Sequence, residues 1–323
     1  MPAMVELDGL TKKFGHIVAV DGIGLTVGKG EVLGFLGPNG AGKTTTMRMI
    51  AGFLTPSSGT ARVCGRDVVE DPIGVKSLIG YMPEGAPAYD DMTVESFLSF
   101  IAEIRGLEGA DIKRRVHEIT ETVDLKGMLD RPIEYLSKGY KRRVGLAQTL
   151  LHDPPVLILD EPTDGLDPNQ KHQVRSLIKR MAAEKCIVVS THILEEVEAV
   201  CTRAVIIGRG KLLADGTADQ LLARLPDHGS VTIECAAEHI ERVAACLGKV
   251  ASVASVLRVS LSGGRVGVKA TPSSGQPIID AVGAALRSDN VPFQEIYRHR
   301  GNLDDVFRMI TLAADQSATR AAA

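Results

Sequence analysis

One stretch, Gly37-Pro38-Asn39-Gly40-Ala41-Gly42-Lys43-Thr44-Thr45, restricts what this chain can fold into more than any other. It follows the apolar run Val32-Leu33-Gly34-Phe35-Leu36, which reads as a buried strand. It precedes Thr46-Met47-Arg48-Met49-Ile50, which reads as the start of a helix. Strand, glycine-rich loop and helix in that order are the context of a P-loop, G-x-x-x-x-G-K-[ST]. The glycines let backbone N–H groups turn inward around a polyphosphate, and the helix N-terminus adds partial positive charge. Lys43 can reach the terminal phosphates, and the Thr44 hydroxyl can ligate Mg²⁺. The motif predicts binding of a nucleoside triphosphate.

At 323 residues the chain has room for two domains. The net charge is only −3, so no global basic field points to nucleic acid. The 5 cysteines show no C-x-x-C spacing and lie among apolar neighbours, which reads as reduced core residues of a cytosolic protein. The N-terminus has no signal-peptide pattern, and no apolar run approaches the ~18 residues of a membrane span. Any membrane role is expected to come through a partner.

Val156-Leu157-Ile158-Leu159-Asp160-Glu161-Pro162 is an apolar strand ending in two carboxylates. Asp160 fits a Walker-B role, holding Mg²⁺ through its water shell, and Glu161 is placed to polarise an attacking water as general base. Ile187-Val188-Val189-Ser190-Thr191 is a further buried strand with His192 directly behind it. A neutral imidazole there can donate to a γ-phosphate. Ser137-Lys138-Gly139 precedes a long helix; the serine hydroxyl and glycine N–H make either an anion site serving another subunit or an ordinary N-cap. Phe14 either stacks on a purine ring or packs as a turn residue. Between these stations Thr93–Arg105 and Asp111–Val123 have apolar residues at helical spacing, which predicts a helical subdomain inserted into an α/β pattern.

From Met4 to about Leu222 the chain resembles the nucleotide-binding subunit of ABC transporters. The matching stations, in order, are Gly37–Thr45, Leu136–Tyr140, Asp160-Glu161, Gly165-Leu166-Asp167 and His192. The closest likeness is to the branch serving two-part exporters, including drug, sodium and gliding-associated systems. The resemblance implies an α/β P-loop ABC ATPase core with an inserted helical subdomain. It implies ATP and Mg²⁺ as cofactors, with Lys43 and His192 stabilising transferred charge. Two ATPs would lie in a head-to-tail homodimer, each between one P-loop and the other subunit's Ser137-Lys138-Gly139. It favours stacking for Phe14. It further implies an integral-membrane permease as partner, a cytoplasmic and peripheral location on the inner face of the membrane, and no nucleic acid. Two stations differ from the family pattern. Leu136-Ser137-Lys138-Gly139-Tyr140 stands where Leu-Ser-Gly-Gly-Gln is usual, and Glu84 replaces a glutamine that senses Mg²⁺ and the permease. Glu84 can still ligate Mg²⁺. A second Leu-Ser-Gly-Gly, Leu261–Gly264, is flanked by alternating strands and reads as a hairpin turn.

The ATP-binding domain is expected over 1–225, with the helical subdomain at about 85–155, and an accessory domain over 226–323. Pro226–Ser230 reads as the linker. Beyond it the pattern is strand, helix, strand, strand, helix, strand, the order of a small ferredoxin-like α+β domain. Its expected role is dimerisation or regulation, or simple stabilisation. Asn302 is expected to cap a last helix, Leu303–Leu312, followed by a disordered tail from Asp315. Two other functions share this core. A translation or repair ATPase would usually have a second cassette or basic insertions, and a soluble assembly ATPase would differ only in its partners.

Overall fold

The computed structural model describes residues 3–261, 265–274, 276–299 and 301–322. In chain order the first part contains β1 (Ala3–Phe14), β2 (Ile17–Gly28), β3 (Val32–Leu36), α1 (Lys43–Ile50), β4 (Ser58–Val63), β5 (Arg66–Asp67), α2 (Pro72–Leu78) and β6 (Ile79–Met82). Then come α3 (Val94–Ile104), α4 (Ala110–Thr122), α5 (Lys138–Leu150), β7 (Val156–Asp160), α6 (Pro168–Ala182), β8 (Cys186–Thr191), α7 (Leu194–Val200), β9 (Arg203–Gly208) and β10 (Lys211–Gly216). The second part contains α8 (Ala218–Leu222), β11 (Val231–Cys235), α9 (Ile240–Leu247), β12 (Val253–Ser260), β13 (Val266–Pro272), α10 (Ile279–Ser288), β14 (Glu295–Arg298) and α11 (Leu303–Ala322). Contacts divide the chain into two compact units, Met1–Ala218 with Ala313–Ala323, and Asp219–Leu312. The division falls ahead of the Pro226–Ser230 linker.

In the first unit the six strands run in the order β10-β9-β3-β8-β7-β6. All pairs but β10–β9 are parallel. Helices and a second sheet cover both faces, so the central strands are apolar on both sides. Val156 and Ile158 of β7 pack with Met47, Ile50 and the inner face of β1 and β2. Leu157 and Leu159 point the other way, toward Phe97, Val116 and Val144 of α3, α4 and α5. Parallel pairing brings the C-terminal ends of β3, β7 and β8 to one edge: Leu36 lies opposite Thr191, and Asp160 opposite Ser190. Ligands of open α/β sheets bind at that edge.

The caps follow the sequence. Thr93, Ser137 and Asp167 accept from the backbone N–H of Ser96, Tyr140 and Gln170 at the starts of α3, α5 and α6. α2, which the sequence reading left unassigned, starts at Asp71-Pro72 with Asp71 Oδ1 accepting from Gly74 N at 2.9 Å. β1 runs through Phe14 and pairs with β2 and β4 in an antiparallel sheet ordered β2-β1-β4-β5. Register shifts along β1 break the alternation that would have shown its length.

The second unit has the expected β-α-β-β-α-β order. Its sheet is β12-β13-β11-β14, antiparallel throughout. Val231, Ile233, Val243, Leu247, Val268 and Leu286 form its core. The turn expected at Ser262–Gly264 lies outside the described residues; its flanking strands β12 and β13 do pair. Asn302 Oδ1 accepts from Asp305 N at 2.7 Å, as a cap should. α11 then continues to Ala322, correcting the expected tail from Asp315. The segment 313–322 is alanine-rich and free of Gly and Pro, so helix propensity extends the element. All five cysteines are free; Cys186, Cys235 and Cys246 are buried, Cys64 and Cys201 half-buried.

Candidate nucleotide site

β3 ends at Leu36 and the loop Gly37–Gly42 delivers the chain to α1 at Lys43. Two glycines there are sterically required. A Cβ on Gly37 would lie 2.5 Å from the Ile207 carbonyl, and one on Gly42 would lie 2.5 Å from that of Ala19. Gly42 also has φ +105°, a conformation that side chains rarely adopt. Lys43 is buried, and its Nζ donates to Gly37 O at 2.7 Å and Pro38 O at 3.4 Å. Those bonds hold the ammonium over the concave side of its own loop.

The cavity at this edge has a volume of about 610 Å³. Pro38, Asn39, Gly40, Gly42, Lys43, Thr44 and Thr45 line one side, and Glu84, Glu161 and His192 face them. Ala19 and Asp164, which sequence reasoning did not single out, complete the lining. Asp164 could have been suspected, because it directly precedes the matched Gly165-Leu166-Asp167. Ala19 could not, because it reads as one more apolar strand residue.

Asp160 is 1 % exposed at the tip of β7. Its Oδ1 accepts from the Ser190 hydroxyl, which in turn accepts from Glu161 N at 3.0 Å. Its Oδ2 is buried without a hydrogen-bond partner among the described residues. A carboxylate oxygen left so at the strand end beside the phosphate loop fits a hydrated divalent cation nearby. Glu161 has φ +49°, a strained backbone that turns its side chain back toward the P-loop. His192 Nδ1 lies 3.0 Å from Glu161 Oε2. A carboxylate only accepts, so Nδ1 carries the proton. In that tautomer Nε2 is an acceptor.

Burial pushes the Glu161 carboxyl above the usual carboxylate range, while the His192 hydrogen bond and the Lys43 charge work against that. Glu161 must be ionised to act as a base, so hydrolysis should rise with pH through that raised value. His192→Ala removes the hydrogen bond that favours the ionised form. The acidic limb of its kcat–pH profile should therefore move to higher pH than in the parent. A limb that stays in place or moves down would show that His192 does not hold the carboxylate.

Of the expected site residues, Gly37, Ala41 and Asp160 adjoin the cavity without lining it, and Phe14, Ser137, Lys138 and Gly139 lie outside it. Phe14, 49 % exposed at the end of β1, has Lys12 Nζ 5.3 Å from its ring centroid and does not line the pocket. Ser137 and Lys138 are exposed at the start of α5. Gly139 is buried, and a Cβ there would lie 2.3 Å from Gln170 Oε1. None of Ser137, Lys138 and Gly139 reaches the cavity of its own P-loop.

Fold and site together define a P-loop nucleotide-binding protein with an inserted helical subdomain. The profile of the family described as "ABC transporter" matches residues 20–164. The chain is 31 % identical over 309 residues to the Nod factor export ATP-binding protein I of Ralstonia nicotianae, across 95 % of this chain and 94 % of that one. A solved ATP-binding subunit of an ABC transporter superposes with a TM-score of 0.63 at 30 % identity, covering 68 % of this chain and 91 % of that one. An ATP-binding cassette solved as a dimer in a post-hydrolysis state with ADP and Pi superposes at 0.62, with 22 % identity over 66 % of this chain and 98 % of its own. The chain belongs to the ABC transporter family, as one of its ATP-binding ATPases.

Proposed function

We propose that this chain is the ATP-hydrolysing subunit of an ABC-type exporter, working as a head-to-tail homodimer beneath an integral-membrane permease. One observation carries the dimer: Ser137, Lys138 and Gly139 do not line the chain's own phosphate cavity. They would close the site of a second copy, where Ser137, the α5 N-terminus and the Lys138 ammonium meet the terminal phosphate. The dimeric cassette of similar fold supports this reading.

In the assembled site Lys43 and the loop N–H groups hold the phosphates. Thr44 and, through water, Asp160 would hold Mg²⁺, with Glu84 beside them at the mouth; the ion supplies neutralising charge. Glu161 orients the attacking water and takes its proton. His192 holds Glu161 beside the γ-phosphate. Phe14 is the proposed stacking surface for the adenine ring.

Among the described residues no helix is long and apolar enough to cross a membrane; the proposed permease is a separate chain. A groove of about 570 Å³ between α2 and α3 suits it. Phe53, Ile73 and Ile104 are 60 %, 82 % and 64 % exposed along it. Burial, with Arg105 adjacent, lowers His152 at its floor to about 4, so the ring is neutral. Such a wall favours an apolar segment of the permease and a peripheral location on the inner face of the membrane. The relative's name supports export as the direction. Ile73→Asp with Ile104→Asp should abolish co-purification of a membrane protein while ATP hydrolysis by the isolated chain stays within about twofold, as expected away from the site. Retention of the partner by this variant would overturn the assignment of the groove.

A further inference from the structure

One buried carboxylate outside the cavity touches both segments that present Glu161 and His192. Glu196 lies on α7 with its side chain 5 % exposed. Its Oε2 accepts from the Thr163 hydroxyl and, at 3.1 Å, from the Thr191 hydroxyl. Thr163 follows Glu161 by one residue (Pro162), and Thr191 directly precedes His192. Thr191 Oγ1 also accepts from Ile193 N at 3.0 Å, which fixes the turn behind His192. The other oxygen, Oε1, faces Lys171 Nζ at 3.7 Å and Arg175 Nη2 at 3.6 Å, ion pairs too long to be hydrogen bonds.

A buried carboxylate is a costly way to fill space, and an apolar side chain there would serve packing at least as well. What the carboxylate provides and an apolar side chain does not is two acceptor directions on one oxygen, which join two loops that are distant in sequence. The same two loops meet at the 3.0 Å contact between His192 and Glu161. We infer that Glu196 is a positioning residue for ATP hydrolysis: through Thr163 and Thr191 it sets the spacing of Glu161 and His192 without touching the nucleotide. The inference rests on the reading of Glu161 as the base.

The test uses the full chain, with ATP binding and steady-state hydrolysis measured per folded molecule. Glu196→Ala should lower kcat by on the order of ten- to a hundredfold, as misplaced reacting groups do, and leave KM for ATP within about twofold. Glu196→Gln keeps an oxygen for both hydroxyls and should recover most of the rate. Thr163→Val with Thr191→Val leaves Glu196 and its cations in place and should reproduce the loss. Adding Glu196→Ala to that pair should cost nothing further, since all three act through one contact. A merely structural role would lower the melting temperature and leave kcat of the folded fraction intact. Wild-type kcat in the Thr163/Thr191 double variant overturns the inference even if Glu196→Ala fails to fold. Glu161→Gln separates the two readings. If it hydrolyses normally, the assignment of the base falls and this inference with it. If it is inactive while the threonine pair is fully active, only the positioning role falls.

Discussion

Glu161→Gln should lower ATP hydrolysis by on the order of 10²- to 10⁴-fold, the usual contribution of a general base, and leave ATP bound. The amide has nearly the shape of the carboxylate, so the turn at φ +49° and the bond from Glu161 N to Ser190 Oγ are both kept. What is lost is the proton acceptor. Lys43, the loop N–H groups and Asp160 are untouched, so phosphate binding persists. In the proposed head-to-tail dimer, closure follows binding and opening follows hydrolysis, so with ATP present this variant should accumulate as a dimer in sedimentation or light scattering. The parent should return to monomer as ATP is consumed. A variant that turns over at the parent's rate would remove Glu161 from the mechanism.

Lys43→Ala should have the second large effect, on binding rather than on turnover. Lys43 is the cation held inside the loop, 2.7 Å from the Gly37 carbonyl. Each charge-assisted hydrogen bond to a phosphate is worth about 1.5–3 kcal/mol, and losing one such bond weakens affinity by roughly ten- to a hundredfold. The fold should change little, because Ala is a good first residue for α1 and, among the described residues, the lysine side chain's hydrogen bonds go to its own loop. Fluorescent-nucleotide titration checks the affinity, and circular dichroism checks the fold. Unchanged affinity would mean that the phosphates lie elsewhere.

The cavity was legible because its parts are local. The loop Gly37–Thr45 holds its chemistry in contiguous residues, and Asp160 and Glu161 are adjacent at the end of one strand. Parallel pairing then brings Leu36, Asp160 and Thr191 to one edge, which an α/β pattern with buried strands already implies. The parts not read depend on non-local contact. Ala19 enters the lining only because β2 passes the P-loop, with Gly42 approaching its carbonyl. Glu196 reads as one glutamate in the acidic stretch Glu195-Glu196-Val197-Glu198. Only the packing of α7 shows that it is buried and shared by two loops. His192 lines the cavity, but its contact with Glu161 depends on two side chains from different strand ends. The length of β1 was hidden by its register shifts, and the extent of α11 by a polar, alanine-rich sequence that looks unstructured when read for periodicity.

The measurement that tests the central claim most directly is identification of what co-purifies from membranes with a tagged Glu161→Gln chain held in ATP. Recovery of one multi-span membrane protein, in ATP-dependent complex with two copies of this chain, is the predicted result. Recovery of soluble partners or ribosomes alone would contradict the exporter assignment and point to an assembly or translation ATPase.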